Sequence, residues 1–299
     1  MTDDPDEPRP DPRTVMLRIR AAMPSLRPSE RRVAEFLLDQ PLDAATLSIS
    51  TLADRCATSS TSVVRFCRRL GYRHYKDVQI DLTREATREG VQNGDFPALS
   101  GDIDRRDSLR DIVSKVERNE RLSIADTGTA LDLGELKRAA DLVDRARRVD
   151  SFGVGASSLV GLDLQQKLSR IGRSAMNWPD PHAAWTSAAT LDSTCVAIGL
   201  SHSCDAADTV DFLRFAHDAG AHTVGITNFD GSPLADTADV VLTTAARETP
   251  FRSGALGSRI AQLMVIDCLF IAVAQLSFDQ SMSALRSTYA AVHRRNSSG

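Results

Sequence analysis

The sequence has few aromatic residues, an odd number of cysteines and no hydrophobic run long enough to span a membrane. Aromatic residues make up 5% of the 299-residue chain and hydrophobic residues 42%, a composition typical of a globular protein. The longest apolar stretch, residues 263–276, is interrupted by Asp267 and Gln275. A membrane helix needs about 18 uninterrupted apolar residues. The stretch therefore predicts a buried helix, and we expect no membrane partner.

The five cysteines lack the paired spacing of a disulfide framework or a zinc site. Four of them lie in apolar surroundings, at positions 56, 67, 195 and 268. This setting predicts small core residues in a reducing cytoplasm. Cys204 lies two residues from His202, but no second histidine or cysteine pair has a matching spacing. We therefore expect neither a metal nor another cofactor.

Charge is distributed unevenly along the chain. The net charge is −4, yet residues 13–90 contain 14 basic and 9 acidic residues and carry +5. Residues 1–12 carry −4 and residues 91–299 carry −5. A basic segment between two acidic ones is expected when one domain meets nucleic-acid phosphates and the other does not.

The residue patterns predict two domains, an organisation that fits the length. Residues 1–12, rich in aspartate and proline, predict a disordered tail without a secretory signal. Residues 13–90 predict an all-α domain, and residues 91–106, rich in glycine, serine and aspartate, predict a linker. In residues 107–295 helices alternate with short apolar strands, which predicts an α/β domain with a parallel sheet and helices on both faces. The predicted strands are 148–152, 194–200, 222–227 and 240–243, and the predicted helices include 159–171, 206–219 and 258–276.

Residues 50–70 have a pattern typical of a helix-turn-helix. Leu52, Ala53 and Cys56 give the first helix an apolar face. Residues 57–59 form the turn, where Ser59 is suited to cap the next helix by accepting a hydrogen bond from a free backbone N–H. The inner face of the second helix is predicted to consist of Val63, Phe66, Cys67 and Leu70.

The outer face of that second helix is polar and basic, with Thr61, Ser62, Arg65, Arg68 and Arg69. Such a helix fits the DNA major groove, where hydroxyls and guanidinium groups reach base edges and positive charge meets phosphates. We expect phosphate contacts mainly from the arginines and base contacts from the two hydroxyls. The rest of the predicted DNA-binding set is Ser59, Ser60, Arg73 and Lys76. A solvated basic face is the alternative interpretation, and the nearby Tyr72 and Tyr75 are expected to pack between helices.

Two turns with serines follow predicted strands. The first, residues 153–158, reads GVGASS. Gly155 permits a tight turn, and the free N–H groups at the helix start, with Ser157 and Ser158, favour an anion. The strict dinucleotide fingerprint is absent. A tight strand-to-helix turn without a ligand is the alternative.

The second turn, residues 201–206, reads SHSCDA and supplies Ser201, His202 and Ser203. Ligands of open α/β sheets collect at the carboxyl ends of the strands, where the strand order reverses. The two turns are therefore predicted to face one polar anion.

These segments resemble known families. The segments GVGASS, SHS, GITNFDGSPLADTADVVLTT and ETPFRSGALGSRIAQLMVIDCLF are similar to the sugar isomerase (SIS) domain. The segments SERRVAEFLL and TSVVRFCRRLGYRHYKDVQIDL resemble the helix-turn-helix domain that precedes it in the RpiR family of bacterial transcriptional regulators. The resemblance implies a DNA-binding repressor or activator whose SIS domain senses a phosphorylated sugar. It also implies a homodimer or homotetramer, and two-fold symmetry calls for a palindromic double-stranded operator.

The resemblance assigns the phosphate to Ser157, with Ser158, and to Ser201 and Ser203. The family's second turn usually reads Ser-x-Ser-Gly-x-Thr, whereas this chain has Cys204 and Ala206 at the last two motif positions. Loss of one charge-assisted hydrogen bond costs roughly 1.5–3 kcal/mol. A weaker site, a different ligand, or a SIS domain that only dimerises therefore stays open.

Glu248 lies where sugar-isomerising SIS proteins carry a catalytic carboxylate. A phosphosugar isomerase or lyase is therefore the rival function. An ion pair with Arg252 or a hydrogen bond to a sugar hydroxyl is the non-catalytic interpretation of Glu248, and it is the one that we favour. We therefore expect an effector-binding residue here and no enzyme.

Overall fold

The computed structural model describes residues 14–93, 105–203, 206–246 and 255–293. The chain divides into two compact units, Met1–Pro97 and Ala98–Gly299. The predicted tail, most of the predicted linker, Cys204 and Glu248 lie outside the described residues.

The first unit is helical, as its apolar spacing predicts. A 3₁₀ turn at Met23–Ser25 accompanies the helices α1 (Val15–Ala22), α2 (Pro28–Asp39), α3 (Pro41–Thr46), α4 (Ile49–Arg55), α5 (Ser60–Arg69) and α6 (Tyr75–Asn93). Prolines begin α2 and α3, where a missing N–H costs no helical hydrogen bond. Helix α6 continues to Asn93, three residues into the predicted linker. A lone glycine at position 90 does not end a helix, because it costs only about 1 kcal/mol relative to alanine.

The helices of the first unit enclose one hydrophobic core. Its largest fully buried side chains are Ile19, Leu37, Leu52, Phe66 and Leu82. Tyr72 and Tyr75 are also buried, which confirms that they pack between helices. The Tyr75 hydroxyl donates to the Ala44 carbonyl oxygen at 2.7 Å, and the Tyr72 hydroxyl donates to Asp81 at 2.9 Å. Burial raises the pKa of Tyr75 to about 12, so this hydroxyl stays protonated at neutral pH.

Two thiols of this core are expected to resist alkylation. Burial raises the pKa of Cys67 to about 12 and that of Cys56 above its usual value. Because the thiolate is the nucleophile, little of either residue is reactive at pH 8. We expect peptide mass mapping after iodoacetamide treatment at pH 8 to find both unmodified in native protein and modified in unfolded protein. Rapid modification of native Cys67 would contradict its burial.

The second unit is an α/β domain with a five-stranded parallel sheet in the order β2-β1-β3-β4-β5. This architecture confirms the predicted fold class. Its strands are β1 (Arg148–Gly153), β2 (Ala175–Asn177), β3 (Cys195–Ser201), β4 (His222–Thr227) and β5 (Val240–Thr243). Its helices are α7 (Leu109–Ala130), α8 (Leu133–Arg145), α9 (Ala156–Arg170), α10 (Pro181–Ala188), α11 (Ala207–Asp218), α12 (Pro233–Thr237), α13 (Leu256–Leu276) and α14 (Phe278–His293).

Four of the five strands agree with the predicted ones to within one residue at each end. The exception is β2, which sequence analysis missed. Three residues are too few to show the two-residue period by which strands are recognised.

Helices cover both faces of the sheet. Along β3, Val196, Ile198 and Leu200 belong to a core that includes residues of α8, α9 and α13. The intervening Ala197 belongs to a second core with residues of α10 and α11. This alternation follows from the two-residue period of a strand, and it explains why β3 is apolar throughout.

Helix α13 is long and apolar enough to cross a membrane by length and composition alone. Its Val265, Ile266, Leu269 and Val273 are instead buried in the core beside the sheet. The helix packs against α7, α8 and α9. It is therefore the predicted helix, beginning two residues earlier than expected and buried along one face, with Ile271 and Leu276 exposed.

Candidate functional site

Two serine caps define the helix-turn-helix of the first unit. The Ser48 hydroxyl accepts from the Thr51 N–H at 3.1 Å at the start of α4. The Ser59 hydroxyl accepts from the Ser62 N–H at 3.2 Å at the start of α5. Each cap satisfies a backbone donor that a helix start leaves free, typically worth about 1 kcal/mol. The predicted cap at Ser59 is confirmed.

Arg32 of α2 binds the turn between α4 and α5. Its Nε donates to the Cys56 carbonyl at 2.9 Å, and its Nη2 donates to the Ala57 carbonyl at 2.8 Å. These bonds orient α4 and α5 from outside the motif. Sequence analysis missed Arg32, because a charged residue 24 positions before the turn shows no local pattern.

Ala57→Gly is expected to stabilise the first unit by about 0.5–1 kcal/mol. Ala57 has φ of 47°, in the left-handed region where a Cβ costs roughly 1–2 kcal/mol. Glycine removes that cost and loses part of the gain through the entropy of the unfolded chain. Urea denaturation of the full chain would measure the difference. Ala45→Gly in α3 is the control, expected to destabilise by about 0.5–1 kcal/mol; a similar loss at position 57 would contradict the prediction.

The outer face of α5 is mostly as predicted, with one exception. The predicted residues that are exposed at the start of α5 and along it are Ser59, Ser60, Thr61, Arg65, Arg68 and Arg69. Ser62 is buried, so its predicted place on the outer face is wrong. Its hydroxyl lies 3.1 Å from the Ser59 hydroxyl and accepts from Arg65 Nη2 at 3.1 Å. One helical turn separates Ser62 from buried Phe66, which places both on the inner side.

Arg69 is turned toward its own domain. Its Nη1 donates to the Ser25 carbonyl at 2.8 Å, and its Nε lies 3.6 Å from the buried Glu30 carboxylate. Arg18 also donates to the Leu70 carbonyl at the end of α5. The end of the helix is thereby tied to the preceding helices, whereas Arg73 and Lys76 beyond it are exposed.

In the second unit, the two serine turns lie at the carboxyl ends of two neighbouring strands. Strands β1 and β3 pair directly, with Gly153 opposite Leu200. The order β2-β1-β3-β4-β5 reverses direction between β1 and β3. This is the switch point at which doubly wound sheets bind ligands. The structure thus brings the two predicted turns together.

The first turn leads directly into α9. Gly155 precedes the helix with φ of 63°, which favours glycine. The Ser158 hydroxyl donates to the Gly155 carbonyl at 2.8 Å, closing the turn. The buried Ser157 hydroxyl donates to Gln262 Oε1 of α13 at 3.1 Å. The first N–H groups of α9 face the end of the sheet and can bind an anion.

The second turn is compact over its described residues. The buried Ser201 hydroxyl donates to the Ser203 carbonyl at 2.7 Å. The ring of His202 lies 5.9 Å from that of Phe229, which follows β4. Both serines are therefore held at the end of β3 beside the first turn.

Polar residues beyond β4 and β5 support this edge of the sheet. Asn228 Oδ1 accepts from the Ala246 N–H at 2.6 Å and from the Thr244 hydroxyl at 3.2 Å. The Thr127 hydroxyl of α7 accepts from the Ala245 N–H at 3.0 Å. Among the described residues no group of three metal-ligating side chains is found.

Comparisons with known proteins agree with the helix-turn-helix of the first unit and with the α/β fold of the second. Residues 14–89 match the helix-turn-helix domain of the rpiR family, and residues 142–272 match the SIS domain. An HTH-type transcriptional regulator from Caldanaerobacter subterraneus subsp. tengcongensis is 35% identical over 274 residues, covering 92% of this chain and 95% of the relative. The chain belongs to the rpiR family of helix-turn-helix regulators.

Two solved structures are similar to this rpiR-family chain. The Vibrio vulnificus NanR protein, complexed with ManNAc-6P, is 27% identical with a TM-score of 0.59, covering 96% of this chain and 100% of NanR. The sugar isomerase domain of an RpiR transcription factor from Sphaerobacter thermophilus is 25% identical with a TM-score of 0.55, covering 59% of this chain and 97% of that domain.

The candidate site includes a residue that sequence analysis missed. Gln262 contacts Ser157 across 105 positions of sequence. In the sequence it is one of several polar residues in a largely apolar helix, so no local signal distinguishes it from Asp267 or Gln275. A buried amide inside a core helix requires a partner, and the fold supplies Ser157.

Proposed function

We propose that this regulator binds DNA through α5 and a phosphorylated sugar at the carboxyl ends of β1 and β3. The observation that carries the sugar-phosphate assignment is the adjacency of the two serine turns at the switch point of the sheet. Ser157, Ser158, Ser201 and Ser203 supply hydroxyls there, and the start of α9 supplies backbone donors. NanR, which is complexed with ManNAc-6P, supports a sugar phosphate as the ligand class.

Thr61, Arg65 and Arg68 form the proposed DNA contact surface, extended by Ser59, Ser60, Arg73 and Lys76. Their exposure on and beside one face of α5 supports the proposal. Buried Ser62 positions Arg65 through its hydrogen bond. Arg69, with its contacts to Ser25 and Glu30, acts as an anchor of α5.

The second domain is proposed to hold the protein together as a homodimer or homotetramer in the cytoplasm. The paired DNA-binding domains then bind a palindromic site. Exposed apolar side chains on α7, among them Leu109, Ile112, Val113 and Ile124, support an interface with another copy. A sugar phosphate then regulates DNA binding to the extent that it prefers one arrangement of the paired domains.

A thermal-shift screen of the full chain against sugar phosphates, their unphosphorylated sugars and inorganic phosphate tests the proposed sensor. A ligand at 100 times its Kd stabilises the folded state by about 2.7 kcal/mol. We expect a shift with one sugar phosphate that is lost in the Ser201→Ala/Ser203→Ala variant and kept in the exposed control Ser283→Ala.

The alternatives give different outcomes in that screen. Absence of any shift would favour a SIS domain that acts only as a dimerisation scaffold. Turnover of a sugar phosphate that is abolished by Glu248→Gln would favour an isomerase or lyase. We propose a non-enzymatic role because close relatives are transcriptional regulators.

Arg65→Ala is expected to weaken operator binding by roughly 1–3 kcal/mol if Arg65 contacts a base. If Arg65 contacts a phosphate, the slope of log affinity against log salt falls by about 1. Fluorescence anisotropy on a site selected from a random DNA library would measure both quantities. Arg214→Ala in the second domain makes the same change in net charge and serves as the control. Unchanged affinity and slope in Arg65→Ala would remove Arg65 from the DNA contact.

A further inference from the structure

We infer that the orientation of the buried Gln262 amide determines whether the Ser157 hydroxyl donates its hydrogen bond to Gln262 or to a bound phosphate. Gln262 is then a positioning residue, because it acts through Ser157. The inference rests on the proposed sugar-phosphate site and identifies Gln262 as the residue that orients the Ser157 hydroxyl in the first turn.

In the described part of the chain, the Gln262 amide makes one side-chain hydrogen bond and has one unsatisfied donor. Ser157 Oγ lies 3.1 Å from Gln262 Oε1, which can only accept, so the hydroxyl proton points into the protein. Gln262 is 1% exposed and Ser157 is 8% exposed. Within the described part of the chain, Gln262 Nε2 is buried and has no hydrogen-bond partner.

A buried amide N–H₂ without an acceptor is costly. Rotation of the Gln262 amide by half a turn places Nε2 beside Ser157 Oγ, where it donates to the hydroxyl oxygen. The Ser157 O–H must then donate its hydrogen bond to another acceptor. A phosphate oxygen at the start of α9 provides one, in the place where that helix favours negative charge.

The two states therefore differ in the direction of one hydrogen bond. Without an anion, Ser157 donates to Gln262. With a phosphate bound, Gln262 donates to Ser157 and Ser157 donates to the phosphate. In the second arrangement Nε2 has an acceptor and Oε1 takes the position that Nε2 had, so the amide still makes one hydrogen bond. The gain is the charge-assisted hydrogen bond from Ser157 to the phosphate, which is stronger than a neutral one.

A double-mutant cycle on the full chain separates this role from a structural one. The probe is inorganic phosphate, titrated by calorimetry at an ionic strength held constant with chloride. The variants are Ser157→Ala, Gln262→Met and the double variant, with Ser201→Ala to test the second turn. Gln275→Met, about 20 Å further along the same helix and exposed, is the matched control. Thermal unfolding in chloride establishes that each variant is folded.

We expect Ser157→Ala to weaken phosphate binding about tenfold to a hundredfold, the effect of one charge-assisted hydrogen bond. Gln262→Met should weaken it several-fold in the wild-type background and leave it unchanged in the Ser157→Ala background, because Gln262 acts only through the hydroxyl. An equal effect of Gln262→Met in both backgrounds, or none in either, would overturn the inference.

The result for Ser201→Ala distinguishes failure of the inference from failure of the proposed function. Phosphate binding that Ser201→Ala weakens, with no coupling between Ser157 and Gln262, overturns the inference alone. Wild-type protein that binds neither inorganic phosphate nor any sugar phosphate of the thermal-shift screen overturns both. If Gln262→Met does not fold, a crystal structure of the wild-type chain with phosphate decides: the inference requires Ser157 Oγ within about 3.2 Å of a phosphate oxygen.

Discussion

Gly153→Ala is expected to destabilise the second domain by about 3 kcal/mol and to abolish ligand binding at the serine turns. A Cβ at Gly153 would lie 2.7 Å from the Leu200 carbonyl oxygen and 2.9 Å from Ser157 Cβ. The first of these atoms is backbone in the neighbouring strand, so the overlap can be relieved only by moving β1 from β3. Overpacking typically costs 1–3 kcal/mol. Because a backbone oxygen cannot move aside as a side chain can, we expect a cost at the upper end of this range.

Urea denaturation and phosphate titration of the Gly153→Ala variant measure the two effects. Gly231→Ala is the matched control, because a Cβ there meets no atom within 4 Å. We expect the control to retain the stability and phosphate affinity of the wild type. A Gly153→Ala protein with wild-type stability would show that β1 and β3 are not in close contact at their carboxyl ends.

Asp150→Ala is expected to reduce the stability of the second domain by about 3–5 kcal/mol. Asp150 is fully buried in β1, and Arg148 donates to both of its carboxylate oxygens, at 2.6 and 2.7 Å. Ser187 donates to Oδ2 at 2.6 Å and Trp178 Nε1 donates to it at 2.8 Å. Removal of the carboxylate leaves these donors without their acceptor, and breaking a buried ion pair from one side costs about 3–5 kcal/mol.

An exposed ion pair provides the comparison for Asp150. Asp141→Ala in α8 removes the partner of Lys137, whose side chain is 73% exposed. Pairs of this kind at helical spacing contribute about 0.3–0.5 kcal/mol. We expect urea denaturation to find Asp150→Ala far less stable than Asp141→Ala, and Asp150→Asn to be intermediate because its amide oxygen can still accept. Equal stabilities of the two alanine variants would contradict a structural role of the buried carboxylate.

The elements that local periodicity specifies could be predicted from the sequence. Apolar spacing predicted that Val63 and Phe66 lie on the inner face of α5, and short apolar runs predicted the strands β3 and β4. Ser59 was identifiable as a cap because a hydroxyl at a helix start has one local function. The adjacency of the two serine turns was predictable in outline, since both turns follow strands and parallel strands end at the same edge.

Contacts between distant segments could not be predicted in the same way. Ser62 and Arg69 belong to a polar helix face by their spacing, yet Ser62 is buried beside the cap and Arg69 bonds to the Ser25 carbonyl. These outcomes depend on how α5 sits against the earlier helices. Hydrophobic periodicity records only which side of a helix is apolar, not which polar side chains at its border become covered.

The sequence alone determined the two-domain α and α/β pattern, the helix-turn-helix and the serine turns. Each of these is built from helices, strands and turns that local periodicity and turn residues specify. Only the tertiary structure decided the order of the strands, which makes β1 and β3 neighbours, and the partners that reach their ends from elsewhere. Ser157 meets Gln262, and the turn after α4 meets Arg32, because folding brings distant backbone segments together. Such pairings satisfy buried polar groups whose positions exist only once the core has packed.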